Sequence, residues 1–314
     1  MQLAEAIEAL IVATEAGGRS VRTVGNYRQK LAPLAAFLGD VPAEAVTVQD
    51  LRRFVVQLRG RTTRFEAHDH RSEIPGGLAA ASLAGYVRAI KRLFSFLHDD
   101  GIIQSNPAHK LQMPKVGRGE PKANDPAEFP LLLAATEGAE PVKVRNRAIL
   151  LFLADTGCRV GGLAGLRLGD VDLVRRLAKL TEKGVKTRLA PFSEPTGAAL
   201  ATWLTVRPAC GHDFVFNHPK APHGCLTVEG VKQMLRRLKA DSGAKGPCNA
   251  HSFRHGFARM YLQAGGDLAT LADLLGHSSV NVTWQFYAIF RTAELQAMHE
   301  KFSPIAKMGR EGEL

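Results

Sequence analysis

No stretch of 18 consecutive apolar residues occurs in the chain, so no helix of membrane-spanning length is expected. A basic n-region is missing too, and Glu5 and Glu8 interrupt the first apolar stretch, so a secretory signal is not expected. Cysteine is scarce. The four residues at 158, 210, 225 and 248 keep no regular spacing, which argues against a disulfide framework and for a reduced, cytoplasmic protein. There is no G-x-x-x-x-G-K-[S/T] loop, so chemistry fuelled by a nucleotide is not indicated. No polybasic run flanks an apolar helix, and no internal repeat is visible. Acidic charge is also in deficit, with 30 Asp and Glu against 41 Lys and Arg.

That deficit gives a net charge of +11, which points to a polyanionic partner. The excess is uneven: residues 1–112 hold 14 basic and 11 acidic residues, and residues 113–314 hold 27 and 19. A length of 314 residues suits two domains, and 45% hydrophobic residues suffices for two ordinary cores.

The periodicity supports that division. Residues 1–112 read as a helical domain. Val24, Tyr27, Leu31, Leu34, Phe37 and Leu38 recur at helical spacing, as do Leu83, Tyr86, Val87, Ile90, Leu93, Phe94 and Leu97. Thr47 and Asp50 form a capping-box pattern that opens a helix running to Leu58. Residues 60–77 are polar and punctuated by Gly and Pro, so they read as a loop. Residues 113–125 form a basic linker, and residues 126–314 the second domain. That domain begins with Asp125 as cap, Pro126 in the first turn and Glu128 at the third position. Residues 178–181 and 188–192 read as strands around a Glu-Lys-Gly turn, placing Lys183 at a hairpin tip. Asp267 caps a short helix that stops at Gly276. Ser278 or Ser279 caps the next, which carries Tyr287, and residues 292–308 read as a last helix without an internal partner.

Three separated pieces combine into one chemical set: Thr156-Gly157-Cys158-Arg159, then His251-Ser252-Phe253-Arg254-His255, then Leu275-Gly276-His277 with Tyr287 ten residues on. Phosphodiester cleavage needs a nucleophile, neutralisation of the non-bridging oxygens and a proton for the leaving oxygen. Arg159 and Arg254 suit the second task, because a guanidinium fork can bond two phosphate oxygens. His251 titrates near neutrality and can take or give the tyrosine proton. A lysine crowded by other cations loses its proton more readily, which suits Lys183 as the acid for the leaving hydroxyl. Tyr287 is the candidate nucleophile, since attack through a phosphotyrosine conserves the bond energy without nucleotide fuel.

The order Arg159, Lys183, His251, Arg254, His277, Tyr287 resembles the tyrosine recombinase (phage integrase) family. So does the surrounding text: Leu151 through Val160 is similar to the first-arginine box, Thr181 through Arg188 to the lysine hairpin, and His251 through His277 to the second box. The resemblance implies a mainly α fold, with an N-terminal helical core-binding (SAM-like) domain and a mostly helical catalytic domain bearing a small β-sheet. It implies a C-shaped clamp on double-stranded DNA and a 3′-phosphotyrosine intermediate formed without metal or cofactor. It also implies a homo-oligomer, four protomers on two sites, with the C-terminal helix docking onto a neighbour. The chain opens at the core-binding region with no arm-binding domain, which fits a Xer-like or transposon-type enzyme serving DNA integration, excision or dimer resolution. There are two departures. The family usually has Glu or Asp three residues after the first arginine, supporting the active site without touching substrate, and Gly162 stands there. Gly256 stands where Thr or Ser is common.

Other readings of these residues point elsewhere. A type IB topoisomerase uses a similar constellation as a monomer, and a non-catalytic DNA-binding relative would carry a decayed site. His251 and His255 are spaced for zinc, but the Glu of H-E-x-x-H is missing. Cys210, His212, His218, His223 and Cys225 form a Cys/His-rich stretch whose spacing matches no standard finger. Asp170 and Asp172 lack a third acid for a two-metal site. Tyr27, Tyr86 and Tyr261 are rival nucleophiles, but each fits an apolar helical stripe.

Overall fold

The computed structural model describes residues 1–64, 74–117, 123–182 and 186–277, together with 296, 299–301 and 303. Lys183, Ser278, Ser279 and Tyr287, and the helices expected around Tyr287 and over most of 292–308, lie outside the described residues. The chain divides into two compact units, Met1–Gly119 and Glu120–Leu314.

Among its described residues the first unit is built on four α-helices, α1 (Leu3–Ala16), α2 (Val21–Leu38), α3 (Val48–Arg59) and α4 (Ala80–Asp99). Each presents one apolar stripe to a shared core containing Leu10, Leu31, Phe54, Phe94 and Leu97, all fully buried. The capping box at α3 is present: the Thr47 hydroxyl accepts from the Asp50 amide, and the Asp50 carboxylate accepts from the Thr47 amide at 2.9 Å. The expected loop differs in one respect, since β1 (Thr63–Arg64) and β2 (Ile74–Pro75) pair antiparallel across it. Two-residue strands carry no readable alternation, so the pairing left no sequence signal.

Among its described residues the second unit packs seven helices on a small antiparallel sheet. Asp125 caps a 3-10 turn over Pro126–Glu128, and α5 (Phe129–Ala134) follows directly. Helix α6 (Pro141–Thr156) runs through the core and carries the buried Ile149, Phe152 and Leu153. A short α7 (Val160–Ala164) precedes the sheet, whose strands β3 (Val171–Asp172), β4 (Leu177–Glu182) and β5 (Lys186–Pro191) pair in sequence order. Asp172 pairs with Leu177 at the sheet edge. Helices α8 (Glu194–Val206), α9 (Val228–Ser242), α10 (Ala250–Gln263) and α11 (Leu268–Leu275) complete the unit. Their core centres on Trp203, whose indole N–H donates to the Val215 carbonyl at 2.9 Å. Asp267 caps α11 by accepting from Ala269 and Thr270, and Gly276 ends it in the left-handed region at φ 64°. Among the described residues no helix is long and apolar enough to cross a membrane.

Candidate active site

The first arginine sits at a sharp corner. Helix α6 ends at Gly157, whose φ of 55° is left-handed, and a Cβ there would stand 2.9 Å from both Leu275 and Phe257. The chain then turns through Cys158 into α7 with Arg159 as its N-cap residue. The guanidinium pairs with the Glu182 carboxylate while the Arg159 side chain keeps 42% of its surface exposed. This combination holds a cation in place at a position a ligand can reach.

The second arginine is positioned from the opposite side. Asn249 caps α10 by accepting from the amides of His251 and Ser252, each at 3.0 Å, and Ser252 Oγ accepts from the Asn249 amide. One helical face then carries His251, Arg254 and His255. Arg254 is 2% exposed, and its fork donates to the Gly157 carbonyl at 2.9 Å and to the Leu275 carbonyl at 2.8 Å. One side chain thus ties the end of α6 to the end of α11, the two places that position Arg159 and His277. These two bonds fix the guanidinium in a buried, low-dielectric setting.

Three histidines feel that charge. Desolvation, then Arg254, Arg159, Arg188 and His255, push His277 down to about 4. Burial, His251 and Arg254 push His255 down to about 4, and its ring stacks edge-on against His251 with centroids 4.4 Å apart. His251 is also lowered, by desolvation and then by Arg254 and Arg159. At neutral pH the imidazoles are therefore uncharged, able to accept a proton and to donate one hydrogen bond each. The cluster pairs excess positive charge with neutral donors, the complement of a phosphate diester.

The sign of these shifts fixes a stability prediction. Above pH 6.5 His255 and His277 are neutral whether the chain is folded or not. Between pH 6.5 and about 4 the unfolded chain takes up protons that the folded one refuses, so stability falls as the pH is lowered through this window and levels off below it. The melting temperature of the free protein should drop over that window, by roughly 2–4 °C per kcal/mol lost in a unit of this size. His255→Gln should shallow the drop, and identical slopes for variant and parent would contradict it.

Two residues given no role in the sequence reading belong to this site. Glu182 and Arg188 lie on the inward face of the β4–β5 hairpin, with Arg188 Nε 3.4 Å from Glu182 Oε1 and its Nη2 3.5 Å from the Thr156 carbonyl. Strand alternation held the signal: Ala178, Leu180 and Glu182 share one face, as do Arg188 and Ala190, so two charges fall where apolar residues belong. Burial lowers the Arg188 pKa, while Cys158 nearby acts the other way.

Gly256 also has a structural reason. A Cβ there would overlap the Asn124 carboxamide oxygen, and Asn124 is itself buried, with its amide donating to the Ser252 carbonyl at 3.1 Å. Asn124 therefore takes the space that a side chain at position 256 would need. The Cys/His-rich stretch folds on itself. Cys210 Sγ receives Arg207 at 3.2 Å and Asn217 at 3.3 Å, His212 Nε2 contacts the His223 carbonyl, and Cys225 bridges to Asn217. Among the described residues no group of three His, Cys, Asp or Glu side chains converges to hold a metal ion. Tyr27, Tyr86 and Tyr261 pack against apolar cores.

Known proteins resemble the chain along most of its length. The Phage integrase family profile matches residues 124–293. The tyrosine recombinase XerC of Mycobacterium tuberculosis is 32% identical over 301 residues, covering 92% of this chain and 95% of that protein. XerC of Alcanivorax borkumensis is 29% identical over 293 residues, covering 92% and 90%. Among solved structures, the Tn1549 transposon integrase in complex with a circular intermediate DNA shares the fold with a TM-score of 0.76 at 20% identity, covering 96% of this chain and 100% of that one. A lambda integrase dimer bound to a COC′ core site superposes with a TM-score of 0.69 at 18% identity, covering 90% and 97%.

Proposed function

The chain belongs to the phage integrase family, and from that premise we propose how its residues cut and rejoin DNA. It is a tyrosine-type site-specific recombinase. In our reading Arg159 and Arg254 bind the non-bridging oxygens of the scissile phosphate. Tyr287 attacks the phosphorus, forming a 3′-phosphotyrosine as the bond to the 5′ oxygen breaks. His251 receives the tyrosine proton, Lys183 supplies a proton to the departing 5′ hydroxyl, and His277 donates a hydrogen bond to the phosphate. Rejoining reverses each transfer with a new 5′ hydroxyl as nucleophile, so the bond energy is conserved. The observation that carries this reading is Arg254, a buried cation held at the junction of the Gly157 and Leu275 carbonyls beside three neutral histidines.

The N-terminal helices, residues 1–112, serve as the core-binding domain, and residues 126–314 as the catalytic domain, joined through the basic linker 113–125. The substrate is double-stranded DNA, gripped by a homo-oligomer that assembles as a tetramer on two recombining sites in the cytoplasm. The reaction serves integration, excision or dimer resolution. Similarity to XerC over nearly the whole chain supports the recombinase reading, the likeness to a lambda integrase dimer bound to a core site supports an oligomer on DNA, and the +11 charge supports the polyanionic partner.

Incubation with a nicked duplex carrying the recombination site tests the reading, because the nick lets the cleaved end escape and traps the covalent adduct. The phosphate clamp consists of side-chain cations, so EDTA should leave adduct formation unchanged. Loss of cleavage in EDTA with recovery on adding a divalent ion would overturn the metal-free mechanism and return attention to Asp170, Asp172 and the Cys/His-rich stretch. Relaxation of supercoils without regard to site would identify a topoisomerase instead.

A further inference from the structure

We propose that Glu182 is a positioning residue for Arg159. Its carboxylate, carried from the end of β4 into the space beside Gly162, aims the first catalytic guanidinium and replaces the acid missing from α7. The proposal rests on the reading of Arg159 as a phosphate-binding residue.

The geometry places one carboxylate between two cations. Glu182 Oε2 pairs with Arg159, and Oε1 lies 3.4 Å from Arg188 Nε. Burial separates the roles of those cations. The Glu182 side chain is 5% exposed, Arg188 is 8% and Arg159 is 42%. A carboxylate this deep is tolerated only when paired, and Arg188 is the buried partner that anchors it. Arg159 is the partner that reaches outward. Two carboxylate oxygens, one per guanidinium, therefore turn a fixed internal pair into a brace for a solvent-facing arginine.

Gly162 occupies the other side of the same space. A Cβ built there would stand 3.7 Å from Glu182 Cγ and 3.8 Å from Leu180 Cδ2. A methyl group fits, but the longer arm of an acid would enter the volume that Glu182 fills. Position 162 is also three residues beyond Arg159 on a helical turn, where side chains face one another. One carboxylate can reach Arg159 here, either from α7 or from β4, and two would place like charges side by side. Gly162 and Glu182 are thus two halves of one arrangement, with the acid moved from helix to strand and glycine leaving room for it. An acid therefore reaches Arg159 although position 162 is glycine.

The test compares Glu182→Gln, Glu182→Ala, the double variant Gly162→Glu with Glu182→Ala, and Arg159→Ala on the nicked duplex. First-order cleavage rate, DNA affinity and melting temperature are measured for each. Glu182→Gln keeps the shape and removes the charge, so it remains informative if Glu182→Ala fails to fold. Loss of a charge-assisted bond to the clamp should slow cleavage by about 10- to 100-fold in both Glu182 single variants, with DNA affinity nearly unchanged. Returning a carboxylate from position 162 should restore most of the lost rate. A purely structural role would lower the melting temperature without being rescued from a different element. If Arg159→Ala is inactive while Glu182→Gln cleaves at the parental rate, or if the double variant stays as slow as Glu182→Ala, the positioning role is wrong and the clamp stands. If Arg159→Ala itself cleaves at the parental rate, the reading of Arg159 fails first.

Discussion

Tyr287→Phe is expected to bind its DNA site as the parent does and to form no covalent protein–DNA adduct. The substitution deletes one oxygen and keeps the ring, so groups that hold the duplex are untouched. Affinity comes from cations on the phosphate backbone, and the net charge of +11 does not change. No other tyrosine is placed to substitute for it: Tyr27, Tyr86 and Tyr261 are committed to apolar packing. Water attack would release a strand end without storing its energy. Denaturing gels after incubation with the nicked duplex give the readout. Parent protein should accumulate a species of protein plus one strand, and the variant should show none while shifting the duplex at the same protein concentration. An adduct from the variant would mean that another side chain attacks. Loss of binding together with loss of adduct would mean that the hydroxyl helps to hold DNA, and the nucleophile assignment would then need a separate proof.

Much of this architecture was legible because local chemistry and tertiary structure agree. The Thr47–Asp50 capping box and the Asp267 cap with its Gly276 stop appear as read. In each, backbone groups at a helix end are satisfied within a few residues, so the sequence contains the whole cause. Arg159, His251, Arg254 and His277 were legible as residue types in a fixed order. Their coming together was not, because it depends on contacts such as Arg254 with Gly157, 97 positions apart. Glu182 and Arg188 were passed over for a related reason. Charged residues on a hairpin are ordinarily solvated, and only alternation along both strands marks these two as inward. Gly256 read as a departure because its cause, Asn124, lies far away in sequence, ahead of α5. The β1–β2 pairing left too few residues for any period to show.

Arg254→Lys is expected to slow cleavage by roughly 10²–10³-fold, the cost of removing one preorganised donor to developing charge. The reason is shape more than charge. The guanidinium has five N–H donors in one plane, and it bonds both the Gly157 and the Leu275 carbonyls. Those two bonds fix the plane, and in the proposed clamp the fixed plane gives the arginine a defined direction toward phosphate. An ammonium keeps the charge but cannot span both carbonyls and still face an anion as a fork. Charge-dependent readouts should therefore change little: the salt dependence of DNA affinity should match that of the parent. Arg254→Ala should reduce that slope by about one. Alanine also strips both carbonyls of their partner in a buried setting, at about 1–3 kcal/mol for each unsatisfied group. Its melting temperature should fall by several degrees, at roughly 2–4 °C per kcal/mol. Single-turnover cleavage, salt-dependent binding and thermal melting on the three proteins separate these effects. A lysine variant that cleaves within about threefold of the parent would mean that charge alone suffices. In that case Arg254 would hold α6 and α11 together without contacting the phosphate, and the clamp would have to be sought around Arg159.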